Sequence, residues 1–401
     1  MLEPGPCPAP SAPIDAAEIE VSVVIPCLNE SRTIAHCVRR ARDTLAAADL
    51  AGEVIVADNG STDGSQDLAR AEGARVIPVA QRGYGHALMA GIARARGRFV
   101  IMGDADGSYD FGTIPQFVAK LREGAELVQG CRLPSGGGQI AEGAMPWLHR
   151  WIGNPALSWL AKLMFRTELH DVYCGLRGFT KEFYTRMNLR CTGMEFATEM
   201  IIKSAQHRAR CSEVPITLHR DGRGGAASHL RTFRDGWRTL RLYLLCSPRW
   251  LYVFPSLGLL LFGLIAGLVG WLGVRLGPAT FDVHTLLVAG LSALLGHQGL
   301  LFALFTSTYA AQVFQLPPHA FLRVFYRHFT LERGLLLSVG AVAAGLAMIA
   351  AVFFAWRSSG YGELNYPSTM RLIVPGVLLV ALGTQTLFAS FAISLIGIER
   401  R

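Results

Sequence analysis

The chain has 401 residues, of which 51% are hydrophobic, and this length allows two or three domains. A formal net charge of +8 is compatible with nucleic-acid binding, but the sequence contains no nucleic-acid-binding motif. Much of the arginine lies near long apolar segments, so we attribute the charge to an anionic membrane surface or a phosphate-bearing substrate.

Short apolar runs alternate with helical patterns in the first half of the chain. Strands are predicted at residues 21–25, 53–57, 75–79 and 99–102, with helices from about residue 30 and over residues 86–95. Strands separated by helical stretches of this length indicate βαβ units and a largely parallel sheet. The sequence therefore predicts a soluble α/β domain.

Polar residues follow three of these strands where each one ends. Ligands of parallel sheets bind at the carboxyl ends of the strands, so we expect these clusters to face one crevice. Their members are Pro26, Asn29 and Glu30 after the first strand, Asp58 and Asn59 after the second, and Asp104 and Asp106 after the fourth.

Asp104 and Asp106 flank a small alanine in the stretch GDADGSYDF, residues 103–111. Two carboxylates at this spacing can face one divalent cation, and Mg²⁺ or Mn²⁺ usually binds one or two carboxylates together with substrate phosphates. The alternative is a set of solvated or helix-capping acids, and we favour capping for Asp63 and Asp110. Gly83-Tyr84-Gly85 is too short for a dinucleotide-binding motif, which disfavours a cofactor dehydrogenase.

Four apolar stretches in the second half are long enough to cross a bilayer, at about residues 251–274, 284–313, 334–356 and 372–396. Arginines concentrate in the connection after the second span and at the C-terminus. The positive-inside rule therefore places this connection, the C-terminus and the N-terminal domain on the cytoplasmic side of a plasma membrane or inner membrane. These arginines are Arg323, Arg327, Arg333, Arg400 and Arg401. Residues 1–20 lack the features of a signal peptide and are predicted to be a disordered tail.

The segment before the first span, residues 229–249, has the pattern of an amphipathic helix. Arg231, Arg234, Arg238 and Arg241 recur at helical spacing, and Phe233 and Trp237 lie on a neighbouring apolar stripe. We expect this helix in the membrane interface, although a simple stop-transfer anchor gives the same pattern. The predicted domains are thus residues 21–228, the interfacial helix 229–249 and a transmembrane domain 250–401.

The ordered segments VSVVIPCLNE, VIVADNGSTDGS, RGYGHALMAGI and GDADGSYDF resemble family 2 glycosyltransferases with the GT-A nucleotide-sugar fold. The later segments DVYCGLRGF, GMEFATEM and HLRTFRDGWRTLR, with the four spans, resemble the dolichol-phosphate or polyprenyl-phosphate hexosyltransferases. The resemblance covers about residues 20–250. It implies an α/β GT-A domain followed by an all-α bundle of four transmembrane helices.

The resemblance also implies roles for individual residues. Pro26, Asn29 and Glu30 would line the nucleotide pocket, Asp58 would lie beside the base, Arg82 would approach the diphosphate, and Asp104 and Asp106 would hold Mg²⁺ or Mn²⁺. Leu28, Ala57 and Ser108 depart from the family pattern, which often has Tyr, Asp and Gln there.

Four residues are implied to bind an acceptor phosphate: Arg132, Arg150, Arg223 and Ser228. Arginine forks suit phosphate oxygens, and a phosphate monoester, whose second pKa is about 6, is already anionic near neutral pH. Glu195 and Glu199 lie where relatives that glycosylate hydroxyls carry a base, but a pocket wall or an ion pair explains them equally well.

The implied reaction is an inverting, metal-dependent transfer of a hexose from a GDP-mannose or UDP-glucose type donor to undecaprenyl or dolichyl phosphate at the cytoplasmic membrane face. One alternative is a polysaccharide or glycolipid synthase, but the glutamine of the QxxRW pattern is missing before Arg249-Trp250. Another is translocation of a lipid-linked sugar, which the scarcity of ionisable residues in the spans disfavours. The expected partners are the donor, the lipid acceptor and the bilayer, with no nucleic acid.

Overall fold

The computed structural model describes residues 19–223, 232–313 and 325–397. The chain divides after Tyr243 into two compact units. Several residues on which expectations were placed lie outside the described residues: residues 1–18 of the tail, Ser228, His229, Arg231, Arg323, Arg400 and Arg401.

The first unit is built on a seven-stranded sheet with the order β3-β2-β1-β4-β7-β5-β8. Its strands are β1 (Val21–Cys27), β2 (Gly52–Asp58), β3 (Arg75–Pro78), β4 (Phe99–Met102), β5 (Leu127–Cys131), β7 (Arg177–Thr180) and β8 (Cys211–Pro215). Strand β7 is antiparallel to both of its neighbours, whereas all other pairs are parallel. A small parallel pair, β6 (Gln139–Ile140) and β9 (Thr217–Leu218), lies apart from this sheet. The mainly parallel α/β architecture confirms the predicted fold class.

Helices connect these strands in the expected alternation. They are α1 (Ile34–Ala47), α2 (Ser65–Ala71), α3 (Tyr84–Arg94), α4 (Ile114–Arg122), α5 (Asn154–Phe165), α6 (Lys181–Met187), α7 (Glu195–Gln206) and α8 (Thr232–Cys246). Strand β1 is buried on both faces, as Val23 and Val24 show, because parallel strands are covered by helices on each side. Glu20, at the end of the predicted tail, already pairs with Arg122 at the edge of this unit.

Helix α3 packs unusually close to the sheet. A Cβ atom at Gly91 would lie 2.5 Å from Cγ1 of Val24 and 3.2 Å from Cβ of Ala57, so only glycine fits there. This close contact holds α3 against β1 and β2. The first residue of α3, Tyr84, lies in the chain shortly after the carboxyl end of β3.

The second unit consists of two helical hairpins. They are formed by α9 (Phe254–Leu272) with α10 (Val283–Val313), and by α11 (Leu331–Ser358) with α12 (Tyr366–Gly397). Each of the four apolar segments is long enough to cross a membrane, which confirms the four predicted spans.

Small residues allow the transmembrane helices to approach closely. A Cβ at Gly263 would lie 2.9 Å from the carbonyl oxygen of Ala289, and one at Gly345 would lie 2.5 Å from that of Gly376. Such contacts are typical of helix pairs in lipid, where packing rather than the hydrophobic effect drives association.

A polar cluster joins the two hairpins between α10 and α12. Nδ1 of His297 lies 3.0 Å from Oε1 of Gln385, and its Nε2 lies 3.1 Å from Oγ1 of Thr386. The amide of Gln385 also donates to Oε1 of Gln298 at 2.6 Å. Polar groups within a bilayer need such partners because no water is available to them.

Replacing Gly91 by alanine should lower the thermal midpoint of the purified protein. Overpacking a core contact costs about 1–3 kcal/mol, which outweighs the gain of about 1 kcal/mol in helix propensity. Gly236→Ala in α8 is the matched control, because a Cβ there meets no atom within 4 Å, and it should raise the midpoint. Equal shifts for the two variants would contradict the close packing of α3.

Candidate active site

Hydrogen bonds hold the ends of β1 and β2 together. The backbone N–H of Asn59 donates to the carbonyl of Cys27 at 2.8 Å. The backbone N–H of Asn29 donates to Oγ of Ser61 at 2.9 Å, and Oδ1 of Asn29 accepts from the N–H of Thr62 at 2.9 Å. The two polar clusters therefore form one continuous edge, as the parallel strand order requires.

The side chain of Asn59 links this edge to the turn after β3. Its Oδ1 accepts from the N–H of Gly83 at 2.7 Å, and its Nδ2 donates to the carbonyl of Gln81 at 2.7 Å. A Cβ at Gly83 would lie 2.5 Å from the carbonyl oxygen of Thr192, and one at Gly85 would lie 2.6 Å from that of Cys191. The residues on either side of Tyr84 are therefore glycines because another backbone segment touches them.

The acidic pair lies at the end of β4. Oδ1 of Asp104 accepts a hydrogen bond from the hydroxyl of Tyr84 at 2.9 Å. Oδ1 of Asp106 accepts from the N–H and from the hydroxyl of Ser108, at 2.9 and 2.6 Å. Burial and, to a smaller extent, the negative charge of Asp106 together raise the pKa of Asp104 to about 6. The two acids are thus close enough for the charge of Asp106 to act on Asp104.

The donor set fits Mg²⁺ or Mn²⁺ held jointly by the protein and a phosphate. Two carboxylates on one short loop are the usual protein share of such a site, while phosphate and water complete the coordination. No group of three or more His, Cys, Asp or Glu side chains suited to a metal occurs among the described residues. Asp104 and Asp106 therefore fit a substrate-linked ion better than a closed structural site.

Arg223 lies against the acidic pair and pairs with Glu30. Its Nε lies 2.9 and 3.0 Å from the two carboxylate oxygens of Glu30, which is buried. Its Nη2 lies 3.9 Å from Oδ2 of Asp106, and the N–H of Gly222 donates to the carbonyl of Asp106 at 2.8 Å. The structure thus brings together Glu30, Asp106 and Arg223, although Glu30 and Arg223 are 193 positions apart.

Arg132 is engaged differently from what the resemblance implies. Its Nε and Nη2 bind the two carboxylate oxygens of Asp171 at 2.7 and 2.9 Å, and both side chains are buried. A carboxylate therefore occupies the two-nitrogen edge that a phosphate would use. The charge of Arg132 still lowers the pKa of Asp104, so this guanidinium acts on the acidic pair through its field.

The other residues expected at the nucleotide site differ in their exposure to solvent. Asp58 is only 1% exposed, because its carboxylate accepts hydrogen bonds from Gln66 at 2.7 Å and from the N–H groups of Gly60 and Ser61 at 3.1 Å. It shapes its own turn rather than facing open solvent. Pro26 lies within β1, beside Ala57 of β2, and Arg82 is exposed in the turn before α3.

Arg150 lies in the turn just before α5, where its guanidinium lies 5.4 Å from the ring centre of Trp151. No contact among the described residues joins it to the acidic pair. Asp110 caps the helical turn after it by accepting from the N–H of Gly112 at 2.8 Å, which confirms the capping interpretation.

The two glutamates of α7 are already paired. Glu199 is buried 3.0 Å from Nζ of Lys203, and its second oxygen accepts from the N–H groups of Arg190 and Cys191 at 2.9 and 2.7 Å. Glu195 lies 3.6 Å from Arg238 of α8. The ion-pair interpretation is confirmed for both.

Sequence reasoning missed the residues that shape the wall opposite Tyr84. A Cβ at Gly175 would lie 2.6 Å from Oδ2 of Asp104, and the N–H of Gly175 donates to the hydroxyl of Tyr109 at 2.8 Å. Arg177 is fully buried and donates to the carbonyls of Val172 and Cys174 at 3.0 Å. The only signal for this wall in the sequence was the DVYCGLRGF segment as a whole, which contributes to the family resemblance.

Large aromatic side chains are exposed on the surface formed by α5, the turn before it and α8. Trp147, Trp151 and Trp159 are 67%, 62% and 63% exposed, and Trp237 of α8 is 59% exposed. The two helices pack together through an edge contact between Phe165 and Tyr243. Exposed aromatic patches of this kind mark a surface that binds a partner or a membrane.

Asp104→Asn should stabilise the protein in the absence of ligand at pH 8. The folded-state pKa of about 6 lies above the ordinary value of 3.8, so the folded protein favours the protonated acid. The stability contributed by this protonation is complete below about pH 4 and is lost as the pH rises through about 6. Above that pH an unfavourable, half-buried charge remains, which is worth about 1–3 kcal/mol. Thermal midpoints at about pH 5 and pH 8 test this, and the gain should shrink at the lower pH.

Asp67→Asn is the matched control for this substitution, because the side chain of Asp67 is 86% exposed and pairs with the exposed Arg70. It should leave the midpoint nearly unchanged at both pH values. An Asp104→Asn protein that is no more stable than the wild type at pH 8 would show that the buried charge is not destabilising.

Two family models match the chain: "Glycosyl transferase family 2" over residues 22–185, and "Glycosyltransferase family 2 C-terminal transmembrane region" over residues 304–397. The low-salt glycan biosynthesis hexosyltransferase Agl6 of Haloferax volcanii is 36% identical over 379 residues, covering 94% of this chain and 89% of the relative. A dolichyl-phosphate hexose transferase of the same organism is 31% identical over 198 residues, covering 49% and 82%.

Among solved structures, glucosyl-3-phosphoglycerate synthase from Mycobacterium tuberculosis with Mg²⁺ and uridine diphosphate gives a TM-score of 0.45 at 22% identity, covering 58% of this chain and 80% of that one. The match to Agl6 extends over nearly the whole of both proteins, and the two family models cover both units. The chain therefore belongs to glycosyltransferase family 2 and carries the C-terminal transmembrane region of that family.

Proposed function

We propose that the protein transfers a hexose from a nucleotide sugar of the GDP-mannose or UDP-glucose type to a polyprenyl phosphate such as undecaprenyl or dolichyl phosphate. The observation that carries this proposal is the half-buried acidic pair at the end of β4 with Arg223 beside it, in a chain that also has four membrane spans. The similarity to a relative named a dolichyl-phosphate hexose transferase supports the lipid phosphate as acceptor.

Asp104 and Asp106 are the residues that would hold Mg²⁺ or Mn²⁺, which neutralises charge on a departing diphosphate when bound. Arg82, exposed beside the turn after β3, is free to approach the same diphosphate. Pro26, Asn29 and Glu30 follow or end β1 at the same edge and are our candidates for the walls of the nucleotide pocket. Asp58 would act on the nucleotide through the turn that it shapes.

The acceptor is best explained as an anion that needs no general base. Glu195 and Glu199 are both engaged in ion pairs, so neither is a free base. A hydroxyl acceptor must lose a proton to attack, whereas a phosphate monoester is already ionised near neutral pH. Arg150 and Ser228 are the candidates for binding this phosphate. Arg132 and Arg223, whose Nε and Nη2 nitrogens are occupied by the carboxylates of Asp171 and Glu30, support them by their positive field.

The chemistry that follows is a single in-line displacement. An oxygen of the lipid phosphate attacks the anomeric carbon, the bond from that carbon to the diphosphate oxygen breaks, and its electrons leave with the diphosphate. The configuration at the anomeric carbon inverts, through a transition state with oxocarbenium character.

The exposed tryptophans support a reaction at the bilayer surface. Trp147, Trp151 and Trp159 are large amphipathic side chains, and Arg234 and Arg241 of α8 are exposed beside Trp237. Tryptophan prefers the headgroup layer, and arginine binds lipid phosphates. Arg238, by contrast, pairs with Glu195. Fewer arginines of α8 are therefore available to lipid phosphates than the helical spacing of the sequence indicates. The arginine distribution of the loops supports a cytoplasmic catalytic unit.

Sugar transfer to undecaprenyl phosphate in nanodiscs, with a panel of nucleotide sugars and with Mg²⁺, Mn²⁺ or EDTA, tests this function. We expect metal-dependent release of a nucleoside diphosphate with formation of a lipid-phosphate-linked hexose. Asp104→Ala and Asp106→Ala should each lower kcat by about 100-fold or more, because charge stabilisation of the leaving group is lost. Asp67→Ala, on the exposed face of α2, is the control and should keep wild-type turnover.

Full turnover by Asp104→Ala would remove the metal step from this proposal. Donor binding without transfer to the lipid phosphate would point instead to a polysaccharide or glycolipid acceptor.

Reporter fusions test the orientation. A fluorescent protein fused to the C-terminus should fold and fluoresce in the cytoplasm, whereas alkaline phosphatase inserted at Gly360 should be active outside it. Gly360 lies in an exposed turn between α11 and α12, where a Cβ atom would meet no other atom within 4 Å, and exposed turns tolerate insertions. The reverse pattern would place the catalytic unit on the opposite face of the membrane.

A further inference from the structure

We propose that Tyr84 is a positioning residue for the metal site: its hydroxyl fixes the carboxylate of Asp104 in the orientation that a divalent cation requires. This inference rests on the proposed role of Asp104 as a metal ligand. Tyr84 itself would touch neither donor nor acceptor and would act through its hydrogen bond of 2.9 Å to Oδ1 of Asp104.

Tyr84 is held by its neighbours on both sides. The N–H of Gly83 is bound by Asn59, and the backbone at Gly83 and Gly85 is in tight contact with the carbonyls of Thr192 and Cys191. No side chain fits at either glycine, so the backbone that carries the tyrosine ring is set by the fold rather than by the ring. The hydroxyl is therefore presented to β4 from a fixed point.

Asp104 is held on its other side by a different element. Its Oδ2 faces Gly175, whose N–H is bound by the hydroxyl of Tyr109. Arg177 secures that segment through the carbonyls of Val172 and Cys174. The carboxylate of Asp104 is thus confined between the hydroxyl of Tyr84 and the backbone at Gly175. Of these two contacts, only the hydrogen bond from the hydroxyl can be abolished by removing a single oxygen atom.

The second acid does not depend on this arrangement. Asp106 is bound by Ser108, two residues further along the same loop, so its orientation is set locally. The site therefore combines one ligand fixed by its own loop with one fixed by the turn after β3. Loss of the Tyr84 hydroxyl should let the Asp104 side chain rotate. Its carboxylate oxygens would then adopt several orientations, some of which do not bind the ion.

The test is the affinity of the full-length protein in nanodiscs for Mn²⁺, measured directly by electron paramagnetic resonance in the presence of uridine or guanosine diphosphate. Removal of a residue that orients a metal ligand typically weakens affinity by about 10–100-fold, and we expect about 10-fold for Tyr84→Phe. With saturating Mn²⁺, kcat should remain within about threefold of the wild type, because Asp104 itself is still present.

Tyr184→Phe is the matched control. Tyr184 is a half-buried tyrosine of the same unit that stacks on Phe179, and its hydroxyl has no hydrogen-bond partner among the described residues. It should bind Mn²⁺ as the wild type does. Tyr109→Phe removes the hydroxyl that holds Gly175 on the other side of Asp104, so it should also weaken Mn²⁺ binding, and it tests the confinement of the Asp104 carboxylate if Tyr84→Phe does not fold.

Two outcomes separate this inference from the function on which it rests. If Asp104→Ala loses Mn²⁺ binding but Tyr84→Phe binds it with wild-type affinity, Tyr84 does not position the ligand and the inference is wrong. If Asp104→Ala still binds Mn²⁺ as the wild type does, Asp104 is not a metal ligand, and the metal step of the proposed function is wrong as well.

Discussion

The half-buried carboxylate of Asp104 is the constraint around which the first unit is arranged. An ionised acid is unfavourable away from water, and a second acid two residues away increases that cost. The surrounding charges are positive, since both Arg223 and Arg132 lower the pKa of Asp104. The fold thus holds two acids in a state that a bound cation would relieve, and perturbed carboxylates of this kind are commonly found at functional sites.

The arginines of this region keep positive charge near Asp104 and Asp106 without forming close ion pairs with these two acids. Arg132 is neutralised by Asp171 and Arg223 by Glu30, yet both remain near the acidic pair. Arg177 lacks a carboxylate partner among the described residues and is held by backbone carbonyls instead. Each pairing fixes a loop at the same edge of the sheet, so the charges and the geometry of the site are set by the same contacts.

Much of the architecture could be predicted from sequence because its causes are local. Alternating apolar runs identify the strands, the apolar length of each span identifies the transmembrane helices, and the order of parallel strands implies that their ends meet. The capping role of Asp110 and the acidic pair at Asp104 and Asp106 followed from the same local reasoning. Partners of individual arginines could not be predicted, because a pairing such as Arg132 with Asp171 depends on which distant loop returns to that point. Tyr84 was missed for the same reason, since its only signal was that it stands between two glycines.

The cluster at His297 has a consequence for how the transmembrane unit responds to change. The hydroxyl of Thr386 has one hydrogen, and it lies within reach of both the imidazole and the carbonyl of Leu382. The group that accepts this hydrogen determines the tautomer of the His297 imidazole. The tautomer in turn determines whether the oxygen or the nitrogen of the Gln385 amide faces the imidazole. The four side chains therefore behave as a single unit, and rearranging one of them obliges the others to rearrange with it. In hydrocarbon, such all-or-none coupling gives the two hairpins one preferred register rather than a range of sliding positions.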